Sequence, residues 1–314
     1  MHQMVSVTQT YGETLVRLGK VEPRIVVVEA DLMKASGSKP FQEAFSARHF
    51  QVGIAEQNLI GVAAGLAAMG KIPFASTFAN FASQRACDQA VISVAYNRFN
   101  VKICGEYAGL TSEKNGATHI SVEDVAIYRC MPNMTVIDPG DCTELAGAME
   151  AIVAYEGPVY LRKAHGPMLD IFPSDYSFVI GRSVVMQDGC DVGLITTGIT
   201  TSEGIKACKD LKKRGVSVKH IHMPTIKPID RGTILRTARE TGAIVTVENH
   251  SRLGGLGSAV AETVCDEYPV LLIRLGIDDC FGETATLAWL MERFGIDAGH
   301  IISAVEEAIR RKAF

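Results

Sequence analysis

The sequence predicts an α/β chain of two domains, the first a mostly parallel sheet with helices on both faces and the second a smaller α/β domain. Three observations predict it. Short β-branched runs alternate with helical segments along the chain. Several of these runs are apolar at nearly every position, as strands covered on both faces require. At 314 residues the chain is long enough for two cores.

Taken in order, "PRIVVVEADL" (23–32) reads as a buried strand followed by the polar loop "MKASGSK". Residues 54–69 have a helical pattern, "PFASTF" (73–78) starts a second strand, and "QRACDQAVISVAYN" returns to helical spacing. "VKICGEYAGL" reads as strand, and "MTVIDPGDCTELAGAMEAIVAYEGPVYLRK" as strand, Asp/Thr cap, helix and strand. These elements make a first domain, 1–168. The stretch "GPMLDIFPSDYSFVIGRSVVMQDG" has two prolines, several aromatics and no helical period, so residues 169–188 are expected to connect the domains. In 189–314 the runs "CDVGLITTGI", "VSVKHIHMPTIKP", "GAIVTVENH" and "YPVLLIRLGI" are strand-like. Helical segments at 201–214, 230–240 and 257–267 separate them, giving a smaller α/β domain.

Composition narrows the function. With 31 basic and 35 acidic residues spread along the chain, a net charge of −4 gives no footprint for nucleic acid. The eight cysteines include no CxxC pair and read as reduced, buried small side chains rather than a metal cluster or disulfide framework. No apolar run is long and unbroken enough to cross a membrane, and the N-terminal stretch lacks the build of a signal peptide, so a cytoplasmic protein is expected.

In open α/β sheets, ligands gather beyond the carboxyl ends of the strands. Asp31, "STFANF" and "GLTSEKNGATH" all fall in such places, and the last is long and rich in small polar residues. A further signal is "QVGIAEQNLIGVAAGLAAMG" (51–70), where Glu56 sits among small apolar residues instead of on a charged face. Singly, each residue has an ordinary explanation. Glu56 suits a helix N-terminus, His119 a surface histidine, and Phe78 and Phe81 a core. The glycine-rich "RLGGLGSAVAE" (252–262) lacks the spacing of a phosphate cradle and reads as close helix packing or a subunit contact.

The ordered set "EADL", "VGIAEQNLIGVAAGLA", "STFANF", "GLTSEKNGATHISVEDVAIYRCMPNMTVIDPGD" and "PVYLRK" resembles the C-terminal half of transketolase. The resemblance spans essentially the whole chain and implies a pyrimidine-binding domain followed by the family's smaller C-terminal domain. It implies thiamine diphosphate as cofactor, with Glu56 bonded to N1′ of the aminopyrimidine, and Phe81, with Phe78 nearby, stacked against that ring. It implies that His119 and Asp31 contact the donor sugar and that Arg162 holds the sugar phosphate, a task suited to a guanidinium. Where the family often carries Tyr, Asp and His, this chain has Gln84, Asn115 and the neighbourhood of Glu106 and Tyr107, so an unusual substrate is expected.

The GDG motif with a later Asn, by which such enzymes hold Mg²⁺ on the diphosphate, does not occur. The resemblance therefore implies the C-terminal subunit of a split transketolase, with no metal ligand of its own. A separate N-terminal chain carrying GDG…N would hold the Mg²⁺ in an α2β2 assembly. The expected activity is transfer of a two-carbon ketol unit from a ketose phosphate, or a related anionic sugar, to an aldose. A deoxyxylulose-phosphate-synthase-like subunit, a 2-oxo-acid dehydrogenase E1 β-like subunit and a catalytically silent paralogue remain open.

Overall fold

The computed structural model describes residues 4–312. Its strands are β1 (Met4–Ser6), β2 (Ile25–Glu29), β3 (His49–Gln51), β4 (Ile72–Phe78), β5 (Lys102–Glu106), β6 (Thr135–Ile137) and β7 (Val159–Arg162). They continue with β8 (Pro167–Leu169), β9 (Val184–Gln187), β10 (Val192–Thr196), β11 (Val218–His222), β12 (Thr225–Lys227), β13 (Ala243–Ser251) and β14 (Leu271–Ile277). A seven-stranded sheet has the order β12-β6-β7-β5-β4-β2-β3 and a five-stranded sheet the order β14-β13-β10-β11-β9. Both are parallel except at one edge, where β12 and β9 run antiparallel to their neighbours.

Contiguous apolar strands follow from burial on both faces. Ile25 and Val27 of β2 point into a core with Tyr11, Leu15 and Met149, contributed by helices Val7–Val21 and Cys142–Ala154. Val28 points the other way, to Leu59, Ile60 and Ala63 of helix Glu56–Ala68. In the second sheet Leu194 and Val245 face one layer of helices, while Ile195 and Ile244 face the other. Among the described residues, no helix is long and apolar enough to cross a membrane.

Four readings are corrected. Of the cysteines expected to be buried, Cys130, Cys190, Cys265 and Cys280 are exposed. "VSVKHIHMPTIKP" is two strands: β11 stays in the second sheet, and β12 crosses to the edge of the first. The break falls at Pro224, which has no N–H for a ladder, while its carbonyl accepts from the Asp138 N–H at 2.8 Å. Part of the stretch read as a connection is built into the second sheet, because β9 pairs with β11. Its earlier part is tied to the first domain, where Asp141 accepts the N–H groups of Ile171 and Phe172, each at 2.7 Å. Finally, "QRACDQAVISVAYN" is no uniform α-helix, since Phe81–Arg85 and Ala90–Ala95 are π-helical.

The domains are joined by buried polar contacts. Glu144 of the first domain meets His222 Nε2 at 2.6 Å, and His222 Nδ1 meets the Thr201 hydroxyl at 2.7 Å. Asn249 at the end of β13 accepts the Leu110 N–H at 2.9 Å and donates to the Ala108 carbonyl at 3.3 Å. Between them Gly109 is left-handed, and a Cβ there would lie 2.5 Å from Asn249, so glycine is required.

Candidate active site

Glu56 opens the helix Glu56–Ala68, whose N-cap residue Ala55 offers no side-chain acceptor. The carboxylate thus stands at the positive end of the helix dipole. It is only 3% exposed and sits beside an aromatic-walled cavity, where an unpartnered charge would be costly. One nitrogen of Arg85 donates to both of its oxygens, at 3.1 and 3.0 Å. The Arg85 guanidinium also covers the Phe81 ring, its Cζ 4.1 Å from the centroid.

Phe78 ends β4 and Phe81 begins the π-helical turn after it, so the two rings meet edge to face at 5.8 Å. His119 packs against both, at 5.4 Å from Phe78 and 5.0 Å from Phe81. The loop bearing His119 is held by Asn80, which donates to the Thr118 carbonyl at 2.7 Å. Beside this cluster lies a cavity of about 650 Å³, lined by Asn80, Phe81, Arg85, Thr118 and Glu123 with Phe281 of the second domain. Gln84, on the same wall, donates to the Glu123 carboxylate.

The structure therefore brings Glu56, Phe78, Phe81 and His119 together. Asn115 lies four residues before His119, exposed, its amide 3.4 Å from the Ser112 hydroxyl. Asp31 lines a separate cavity of about 350 Å³ with Lys34 and Gln51. Arg162 is corrected outright as a phosphate holder. It is 2% exposed and bonds Asp124 through two nitrogens (2.8 and 3.2 Å), Asp138 at 3.4 Å and the Asn249 carbonyl at 2.7 Å. A guanidinium so enclosed has no free edge for a sugar phosphate.

Beneath the strand ends lies a second buried charge cluster. Lys163 donates to Glu106 at 2.9 Å and to the Ser36 carbonyl at 3.0 Å, with its ammonium 3.1 Å from the centre of the Tyr11 ring. Burial pushes the Glu106 and Glu29 carboxyls up to about 7, against the pull of Lys163 on both. Tyr107, in a left-handed backbone conformation, stacks on His165 at 3.7 Å and presents its ring to Phe78 at 5.1 Å.

The sequence reading missed Arg85, Asn80 and Phe281. Asn80 stands inside the quoted "STFANF", so its place was available. Arg85 carried one signal, its position four residues after Phe81, which on a helical turn stacks the two side chains. Phe281 reaches the cavity from another domain, and no local pattern announces that.

A carboxylate buried beside a flat aromatic face suits an aminopyrimidine, and Arg85, itself flat and N–H-donating, already makes both contacts. Among the described residues no group of three or more His, Cys, Asp or Glu converges to hold a metal ion. Residues 3–166 match the family model "Transketolase, pyrimidine binding domain", and residues 181–301 match "Transketolase, C-terminal domain". The chain is 45% identical over 305 residues to the 6-deoxy-6-sulfo-D-fructose transketolase subunit of Clostridium sp. (strain MSTE9), covering 97% of this chain and 95% of that protein. It is 32% identical to an apulose-4-phosphate transketolase subunit of Phocaeicola vulgatus, covering 99% of each. A solved structure described as a split gene transketolase, inactive beta4 tetramer, superposes with a TM-score of 0.92 at 42% identity, covering 98% of this chain and 99% of that one.

Proposed function

The chain belongs to the transketolase family, and from that membership we propose that it supplies the pyrimidine half of a thiamine diphosphate site completed by a separate N-terminal chain. The single observation that carries the reading is the buried Glu56 carboxylate, linked through Arg85 to the Phe81 ring that lines the cavity and packs on His119. Thiamine diphosphate, when bound, supplies the carbon nucleophile that cleaves a ketose and carries its two-carbon unit to an aldose. Glu56 would share a proton with the pyrimidine N1′ in a hydrogen bond that its dry surroundings strengthen. Phe81 and Phe78 would give the ring a flat apolar wall. His119, fixed by both aromatic rings, would donate to the substrate oxygen where charge develops, and Asn115 would read a sugar hydroxyl from the same loop. The partner's GDG…N motif would hold the Mg²⁺.

The substrate we propose is a ketose bearing an anionic group. Two relatives, the 6-deoxy-6-sulfo-D-fructose and apulose-4-phosphate transketolase subunits, are named for such sugars. The assembly we propose is α2β2, with two copies of this chain paired across helix Glu56–Ala68. That face exposes Gln57, Asn58, Gly61 and Gly65, and a Cβ on either glycine would meet nothing within 4 Å. Exposed Ile54, Met69, Ile92 and Tyr96 add apolar surface nearby.

The test is recovery of the tagged chain from its native host, then assay with thiamine diphosphate, Mg²⁺, ketose donors and 2-oxo acids. A partner carrying GDG…N, with ketol transfer that neither chain shows alone, is the expected result. Turnover of 2-oxo acids in place of sugars, or a lone chain with no cofactor binding, would overturn the reading.

A further inference from the structure

In this chain the two contacts assigned to the aminopyrimidine are already made by one side chain. The Arg85 guanidinium lies over the Phe81 ring and donates to both Glu56 oxygens. It is planar, like a pyrimidine, and it offers N–H groups to the same carboxylate. We propose that Arg85 is a built-in occupant of the pyrimidine seat, which keeps the Glu56 charge partnered while the seat is empty and must swing away for the cofactor to enter. This inference rests on the proposed thiamine diphosphate reading.

Two features fit an occupant that can leave. The Arg85 side chain is half exposed, whereas Glu56 is sealed, so the movable partner is the arginine. The adjoining cavity of about 650 Å³, which Arg85 itself lines, gives the displaced guanidinium room beside Glu123 and Thr118. Nothing else in the structure donates a hydrogen bond to Glu56 among the described residues, so removing Arg85 strands its charge. Arg85 thus sets cofactor affinity by competing for the seat, and it opposes binding.

That sign separates the proposal from a plain structural role. A residue that only holds Glu56 in position would weaken cofactor binding when removed. A competitor strengthens it. The contacts to be broken are a half-exposed ion pair and a cation–π contact, each of which corresponds to a factor of roughly two to five in affinity.

The experiment is titration of thiamine diphosphate with Mg²⁺ into the complex of full-length chain and its co-purified partner, read by isothermal calorimetry for wild type, Arg85→Ala and Arg85→Gln. The expected result is a Kd lowered about 4- to 25-fold in both variants, while the isolated variant chains melt below wild type for want of a partner to Glu56. The glutamine variant keeps most of the side-chain bulk, so a folding failure of the alanine variant leaves the test intact. Wild type that binds, with variants that bind equally or more weakly, overturns the occupant role and leaves the cofactor reading standing. Binding by none of the three overturns both.

Discussion

Replacing Arg162 by alanine separates two roles for the "LRK" arginine. The guanidinium is sealed between Asp124 and Asp138, with side-chain exposures of 2% against 0% and 7%. Its removal leaves two buried carboxylates without their cation and the Asn249 carbonyl without a donor. Breaking a buried ion pair by deleting one partner costs about 3–5 kcal/mol, chiefly because the surviving charge stays desolvated. In a chain of this size that corresponds to a fall in Tm of order 10 °C. The assay is thermal and urea unfolding followed by circular dichroism. Burial already raises the Asp138 carboxyl above its ordinary value although Arg162 pulls the other way, so without the arginine this group takes up a proton more easily. The Arg162→Ala deficit should therefore shrink as pH falls toward 4. Combining Arg162→Met with Asp124→Asn should cost less than the two changes summed, since the pair is coupled. A variant that melts within about 1 °C of wild type yet raises the KM for an anionic sugar at unchanged kcat would refute the reasoning and return Arg162 to the substrate.

Glu56→Ala should lower turnover by the assembled complex by about 100-fold or more, measured as steady-state ketol transfer; near-normal rates would remove Glu56 from the mechanism. Glu29 has its carboxyl raised by burial from an ordinary 4.5 to about 7, with one oxygen unpartnered. A raised acid gives stability that is complete below 4.5 and lost as pH climbs through 7, so Glu29→Gln should melt higher than wild type at pH 8 and close to it at pH 4. Calorimetry across that range checks the difference, and a pH-independent offset would contradict it. Gly105→Ala places a Cβ 2.3 Å from the Tyr160 hydroxyl, which donates to Asp124 at 2.6 Å. The clash should cost about 1–3 kcal/mol in urea unfolding, and an unchanged midpoint would show that Tyr160 yields freely.

The parallel sheets were legible because β2 and β10 are buried at every position and are mostly apolar runs, which say so without help from distant residues. Glu56 was legible for the same reason in reverse, as a carboxylate where the surroundings allow none. What failed to show was anything decided across the chain. "TIK" is β-branched and strand-like, but nothing in three residues tells which sheet it will join. Arg162 reads as a phosphate holder until Asp124 and Asp138, 38 and 24 residues away, are folded around it. Arg85 had only its spacing from Phe81 to show it, and apolar periodicity does not reveal that the turn carrying both is π-helical.

The same long-range contacts give the second domain a part in the site. The loop that ends in His119 begins at Tyr107 and has no regular ladder to hold it. Asn249 clamps its start at Ala108 and Leu110. Glu113 then accepts the Leu287 N–H at 2.9 Å, and Gly116 and Ile120 are packed so closely against Thr284 and Gly282 that a Cβ at Gly116 or Gly282 would lie 2.6 Å from its neighbour. Every one of those second-domain partners lies after residue 248, beyond the domain that carries Glu56. The His119 ring can hold its position between Phe78 and Phe81 only if the loop is fixed at both ends, and one side of that fixing comes from the second domain. The two domains therefore have to dock before the half-site exists, and the buried Arg162 and Glu144–His222 contacts are what makes that docking specific.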